Sequence, residues 1–203
     1  VMFRGGFFPG GGVQSCAVSA VDIALWDIKA KALGVPVYEL LGGLVRDKVV
    51  CYPHNGDPKQ LDKLVESCKK TRAAGYKFVR WGMVDPEGEG DVFEPSRAVR
   101  YGIEQVRTVR EELGDDIEIC VDVHTRLDPS AALQFCKGVE QYRPFFIEDP
   151  IRSESSESLR MVRQHTSVPI AVGEQWAGKW AFRQVIEEEL TDYARIDICI
   201  AGG

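Results

Sequence analysis

Three carboxylates in this chain of 203 residues fall at one stride. Asp122 closes the apolar run "IEICVD", Glu148 closes "FFIE" and Glu174 closes "AVGE", and the intervals 148 − 122 and 174 − 148 are both 26. One strand, its following helix and their connections take about 30 residues, so each carboxylate occupies the equivalent place in its own unit. Three neighbouring carboxylates repel one another unless a cation lies among them. Oxygen ligands of high charge suit a hard ion, Mg2+ first, whereas zinc recruits His or Cys. A single acidic residue at a strand end is commonly a helix cap or a solvated rim group. Three at equal stride, each ending an apolar run, point to a metal site. His124 follows Asp122 by two positions, which on a strand puts both on one face. An imidazole there can give or take a proton near neutral pH; the alternative is a structural histidine.

The elements that must position these residues repeat. Short β-rich runs at 47–53, 76–81, 117–124, 143–149, 168–174 and 193–200 alternate with amphipathic stretches such as 59–75 and 95–113. Ahead of them, 15–33 carries Ala17, Val21, Ala24, Leu25, Ile28 and Ala32 at helical spacing, stopped by Gly34 and Pro36. Asp128-Pro129 reads as the N-cap and first residue of the helix after the third strand. The alternation predicts βαβ units on a parallel sheet. A doubly wound sheet would show a Gly-rich phosphate loop after its first strand, and "CYPHNGDPKQ" holds one glycine. A (β/α)8 barrel spreads functional residues over the C-terminal ends of several strands, as here.

The apolar fraction of 44% with 28% charged residues suits a globular protein. A net charge of −6 without a dense Lys/Arg cluster argues against a nucleic-acid surface, and no apolar run approaches the ~20 residues that span a bilayer. Six scattered cysteines without a CxxC pair read as free thiols, and the chain as cytoplasmic. The opening "RGGFFPGGG" (4–12) follows no strand and reads as a connecting loop rather than a phosphate cradle.

"VDVH", "FIEDP", "VGEQ" and "RIDICIAGG", with "AVSAVDIALWDIKAKALGVPVYELLGG" before them, resemble the enolase superfamily, in its mandelate racemase/muconate lactonizing enzyme subgroup. Within that subgroup they are similar to acid-sugar dehydratases of the galactonate dehydratase type. The resemblance implies a TIM-type (β/α)8 barrel, incomplete here at about six βα units, over residues 46–203. Residues 1–45 would be the end of an N-terminal α+β capping domain. It implies Asp122, Glu148 and Glu174 as Mg2+ ligands and His124 as the acid that protonates a departing 3-hydroxyl. Asp197 would orient a histidine on a seventh strand, the base that removes the proton alpha to the substrate's carboxylate. An enediolate stabilised by Mg2+ is the general pattern of such sites, and the product would be a 2-keto-3-deoxy sugar acid. The partner is then a small sugar acid, in a protein expected to be a homo-oligomer at full length.

Departures refine the expectation. Where many relatives carry Lys-x-Lys after the second strand, "FVRWGM" offers Arg80 and Gly82, and an arginine is a poor base. Mannonate dehydratases of similar pattern use a tyrosine from the following loop; "GMVDPEGEGDVFEP" has none. Dehydration of mannonate or gluconate, or an epimerisation, stays as the enzymatic alternative, and a non-catalytic binding paralogue as the other. His54 and Asn55 after the first strand, with Arg126 and Gln175 beside the carboxylates, are candidate substrate contacts. The chain reads as part of an enzyme about twice as long, inactive and poorly soluble by itself.

Overall fold

A computed structural model describes residues 2–5, 10–89 and 92–203. Residues 6–9, inside the glycine-rich opening expected to be a loop, lie outside the described residues. Two compact units are described, each by itself. One comprises Cys51–Val172 with Glu189–Ala194; the other comprises the segment ending at Val50, Gly173–Glu188 and Arg195–Gly203.

The first of these units is built on a parallel sheet. Its strands are β1 (Phe78–Gly82), β2 (Glu118–Asp122), β3 (Phe146–Glu148), β4 (Ile170–Val172) and β5 (Tyr193–Ala194). They lie side by side in chain order, and every neighbouring pair is parallel. A doubly wound sheet reverses its strand order at a switch point; this sheet does not, so it is the arc of a barrel. Helices α3 (Leu61–Ala73), α4 (Pro95–Leu113), α5 (Pro129–Val139) and α6 (Ser156–Gln164) connect and cover it. Helix α4 starts where Glu94 accepts the Ser96 and Arg97 N–H groups at 3.0 and 2.6 Å, and it stops at Gly114 with φ +70°. Asp128 stands at the N-cap of α5, but its side chain makes no capping hydrogen bond.

Register decides which side chains meet. Arg80 pairs with Cys120, Cys120 with Phe146, Asp122 with Glu148, and Glu148 with Ala171. Side chains two apart share a face, so Arg80, Cys120, Asp122, Phe146, Glu148 and Ala171 project from the same side of the sheet. Cys120, Phe146 and Ala171 form a buried cluster there, with Tyr52, Phe78 and Phe145 against it. The opposite face holds Val79, Trp81, Ile119, Val121 and Ile147, all fully buried with Phe135 of α5 and Val106 of α4.

The structure corrects the six-strand expectation. Residues 47–53 form no strand; Val49 and Val50 are exposed, and the segment's ladder contact is a single bridge from His54 to Arg80. β-propensity needs a partner in register to become a strand, and here the chain reaches β1 only at its end. The last run is a strand only over Tyr193–Ala194. Asp197 then accepts the Cys199 N–H at 2.8 Å and caps a short helix, α8 (Ile198–Ala201).

In the other unit, α1 (Gly12–Leu33) ends at Gly34 with φ +68°, and α2 (Val37–Leu40) follows. Helix α7 (Lys179–Glu187) belongs here too, and the Gly202 N–H donates to Ser19 of α1 at 3.0 Å. Of the apolar residues at helical spacing on α1, Val21, Leu25 and Ile28 are exposed. Trp176 and Phe182 pack edge to face at 4.9 Å. No helix among the described residues is long and apolar enough to cross a membrane.

Candidate active site

The C-terminal ends of β2 and β3 carry the charge. Asp122, Glu148 and Asp149 are buried, and each offers a carboxylate oxygen within 4.8 Å of the others. Asp122 and Glu148 are two of the three expected ligands. Asp149 was not expected, since sequence spacing marks only one carboxylate per strand end. Its signal was the doubled acid of "IED", and Asp149 adopts a left-handed φ of +41°.

Arg80, also buried, lies among them. Its Nε donates to Glu148 Oε2 at 3.0 Å, and Nη2 donates to Glu148 Oε1 at 3.2 Å and to Asp122 Oδ2. Buried charges are kept only when paired, and this cation answers Asp122 and Glu148. Sequence reasoning set Arg80 aside as a poor base. An arginine in the middle of an apolar strand was the available sign that a carboxylate faced it. Its Nη1 lies 2.8 and 2.6 Å from the two ring nitrogens of His54, and its Cζ is 5.6 Å from the Tyr52 ring. Loss of water on that side, and then the guanidinium charge, hold the His54 pKa below its ordinary 6.5.

His124 reaches Asp122, though not along a strand. β2 ends at Asp122, and His124 and Thr125 turn with φ of +52° and +59°. The turn brings His124 Nε2 to 2.7 Å from Asp122 Oδ2, and the His124 N–H donates to Asp122 Oδ1 at 2.9 Å. The His124 side chain keeps 48% exposure while Asp122 has none, so the imidazole stands at the rim.

The remaining candidates divide. Asn55 is buried: its Oδ1 accepts the Arg80 N–H at 3.1 Å, and its Nδ2 donates to Thr71 at 2.7 Å and Ser67 at 3.3 Å. Its amide therefore fastens the chain to β1 and α3. Arg126 is exposed, with its Cζ 5.3 Å from the Phe93 ring. In the other unit, Glu174 lies in a turn just past β4 and pairs with Arg195 at 3.3 Å. Gln175 beside it is exposed.

A set of oxygen donors fits Mg2+, which takes oxygen ligands and keeps several waters. The buried acidic group at the β2 and β3 ends meets that requirement in kind, with Arg80 as its present counter-charge.

A family model described as Enolase C-terminal domain-like matches residues 63–203. Residues 3–42 match the Mandelate racemase / muconate lactonizing enzyme N-terminal domain. A D-mannonate dehydratase of Caulobacter sp. (strain K31) is 38% identical over 223 aligned positions, covering 99% of this chain and 55% of that protein. A D-galactonate dehydratase of Ralstonia pickettii (strain 12J) is 37% identical over 202 positions, covering 100% of this chain and 52% of that one. The chain thus spans about half the length of the curated relatives it matches. Among solved structures, an enolase from Pantoea ananatis with bound D-gluconate and Mg superposes with a TM-score of 0.89 at 31% identity, over 100% of this chain and 55% of that one. A member of the enolase superfamily from Salmonella Typhimurium gives 0.90 at 28% identity, over 100% and 57%. Since the C-terminal match covers well over half of the chain and every strand of the sheet, the chain belongs to the enolase superfamily, in its mandelate racemase and muconate lactonizing enzyme group.

Proposed function

We propose that this chain supplies the metal-holding strands and the general acid of a hydro-lyase that dehydrates a sugar acid of the galactonate type. The observation that carries the proposal is the convergence of buried Asp122 and Glu148 with the rim imidazole of His124. Asp122, Glu148 and Glu174 would hold Mg2+. When bound, the ion supplies positive charge against the negative charge that develops on the substrate's carboxylate as the alpha proton leaves. His124 gives its proton to the 3-hydroxyl oxygen, which departs as water, and the enol left behind tautomerises to the 2-keto-3-deoxy acid. Asp122 holds the His124 backbone N–H and ring, so that the imidazole is fixed where a substrate arrives from solvent. The proposed duty of Asp197 is to orient the base, beside its cap of α8. His54, Asn55, Arg126 and Gln175 are proposed substrate contacts, and residues 1–45 and 46–203 the two domain portions. The protein is proposed to work in the cytoplasm as a homo-oligomer.

The loop after β1, which lacks the tyrosine expected of mannonate chemistry, favours galactonate. Mannonate remains the second reading because a mannonate dehydratase is 38% identical. The test incubates the natural gene product with Mg2+ and D-galactonate, D-mannonate or D-gluconate separately and measures the 2-keto product. Formation from galactonate supports the proposal; formation from mannonate alone moves the assignment; alpha-proton exchange without a keto product makes the enzyme an epimerase. Binding without any turnover would replace the enzyme by a sugar-acid-binding protein.

A further inference from the structure

We propose that Arg80 is an exchangeable internal counter-ion: its guanidinium holds the place of the divalent cation in the metal-free protein and must leave when the metal loads. This inference rests on the metal-site reading above and adds a residue that the reading does not use.

The geometry is one of full occupancy. Both oxygens of Glu148 accept from Arg80, Oε2 from Nε at 3.0 Å and Oε1 from Nη2 at 3.2 Å. Asp122 Oδ2 accepts from Arg80 Nη2 and lies 2.7 Å from His124 Nε2, while Oδ1 accepts the His124 N–H. All four oxygens of the two proposed ligands on β2 and β3 therefore already face N–H groups. Mg2+ binds carboxylate oxygens at about 2.1 Å. A guanidinium that is always charged and sits against the same oxygens repels a dication placed there, although each oxygen has a second lone pair. The two cations therefore compete for the carboxylates.

Register makes the placement structural rather than incidental. Arg80 pairs with Cys120, two residues before Asp122, on the face that Asp122 and Glu148 share. A side chain of that length from that position spans to the strand ends. The arginine also has somewhere to go. Its Nη1 already lies against the ring of His54, which is exposed, and its Cζ lies 5.6 Å from the Tyr52 ring. A rotation about the outer side-chain bonds would carry the guanidinium toward His54 and solvent, with a cation–π contact at Tyr52 to receive it.

The energetic consequence has a definite sign. If the carboxylates are free for metal in only a fraction of molecules, the apparent affinity falls by that fraction. Removing the guanidinium removes this penalty and raises the negative charge that attracts the dication. It also leaves buried carboxylates without a partner in the metal-free protein, which is strongly destabilising. Arg80 thus weakens metal binding and protects the empty site.

The experiment uses the natural gene product, freed of metal by chelation, and compares it with Arg80→Gln and Arg80→Lys. Mn2+ and Mg2+ binding are measured by calorimetry without substrate, and thermal unfolding is followed with and without Mg2+. The expected result for Arg80→Gln is metal binding at least about tenfold tighter, a metal-free midpoint lower by several degrees, and a larger rise on adding Mg2+. Arg80→Lys, which keeps a cation with fewer donors, falls between. Equal or weaker metal binding in Arg80→Gln overturns the exchange and makes Arg80 a permanent part of the loaded site. Should Arg80→Gln fail to fold, the Arg80→Lys affinity decides: no tightening overturns the proposal. Absence of metal binding in the wild type and both variants overturns it together with the metal-site reading. Tight binding by the wild type, unchanged by either variant, removes this inference and leaves that reading standing.

Discussion

His124→Asn separates chemistry from structure at this site, because the geometry predicts a small effect on one and a large effect on the other. His124 adopts φ +52°, a region asparagine enters more readily than most residues. Its backbone N–H bond to Asp122 Oδ1 does not depend on the side chain. The ring's 2.7 Å contact with Asp122 Oδ2 is lost, but with the side chain 48% exposed such a contact contributes about 1 kcal/mol or less. Folding should therefore change by no more than about 1 kcal/mol, a few degrees in the unfolding midpoint. A positioned general acid contributes about 10²–10⁴ in rate, or roughly 2.7–5.5 kcal/mol of barrier. The assay is turnover of the accepted sugar acid to its 2-keto product, beside deuterium exchange at the alpha carbon, unfolding and Mg2+ affinity. Elimination should fall by about 10²-fold or more while exchange and metal binding persist. Turnover within about threefold of wild type, or loss of metal with loss of activity, would refute the role of His124.

Other expectations concern the frame. A methyl at Gly173, where φ is +138°, would lie 2.7 Å from the Arg195 carbonyl oxygen and from Phe182, so Gly173→Ala should lose about 2 kcal/mol or more by denaturant unfolding; an unchanged midpoint would remove the constraint. Asp85, paired with Arg97 Nε at 2.5 Å and Nη2 at 2.7 Å, has its carboxyl held well below the ordinary 3.8, chiefly by those hydrogen bonds. A depressed pKa stabilises the fold above the unfolded value, and the gain is lost as pH falls through the folded one. Asp85→Asn should therefore lower the unfolding midpoint at pH 7, with the gap to wild type closing below about pH 4. Burial pushes the Cys68 and Cys136 thiols up to about 12, so neither should react with a thiol reagent at pH 8 unless the protein is unfolded.

Much of the scaffold was legible in the residues. The helix from Pro95 to Leu113 and its glycine stop appear where periodicity and stop signals place them. So do the strand ends at Asp122 and Glu148, because an apolar run closed by a charge marks where buried chain meets the rim. Local pattern was a poorer guide wherever pairing decided the outcome. The run at 47–53 has β-rich residues but no ladder, and 195–200 leaves the strand because Asp197 caps a helix. His124 meets Asp122 through a left-handed turn rather than through strand pleating.

By itself the sequence determined the rhythm of strands and helices, the acidic stride and the histidine two residues after Asp122. These follow from periodicity and residue type, which are local properties of the chain. Tertiary structure alone decided that Arg80 lies between Asp122 and Glu148, that Asp149 joins them, and that Asn55 turns inward to β1. The partner of a buried charge is set by which strands are neighbours and in what register, and that alignment joins residues 42 and 68 positions apart.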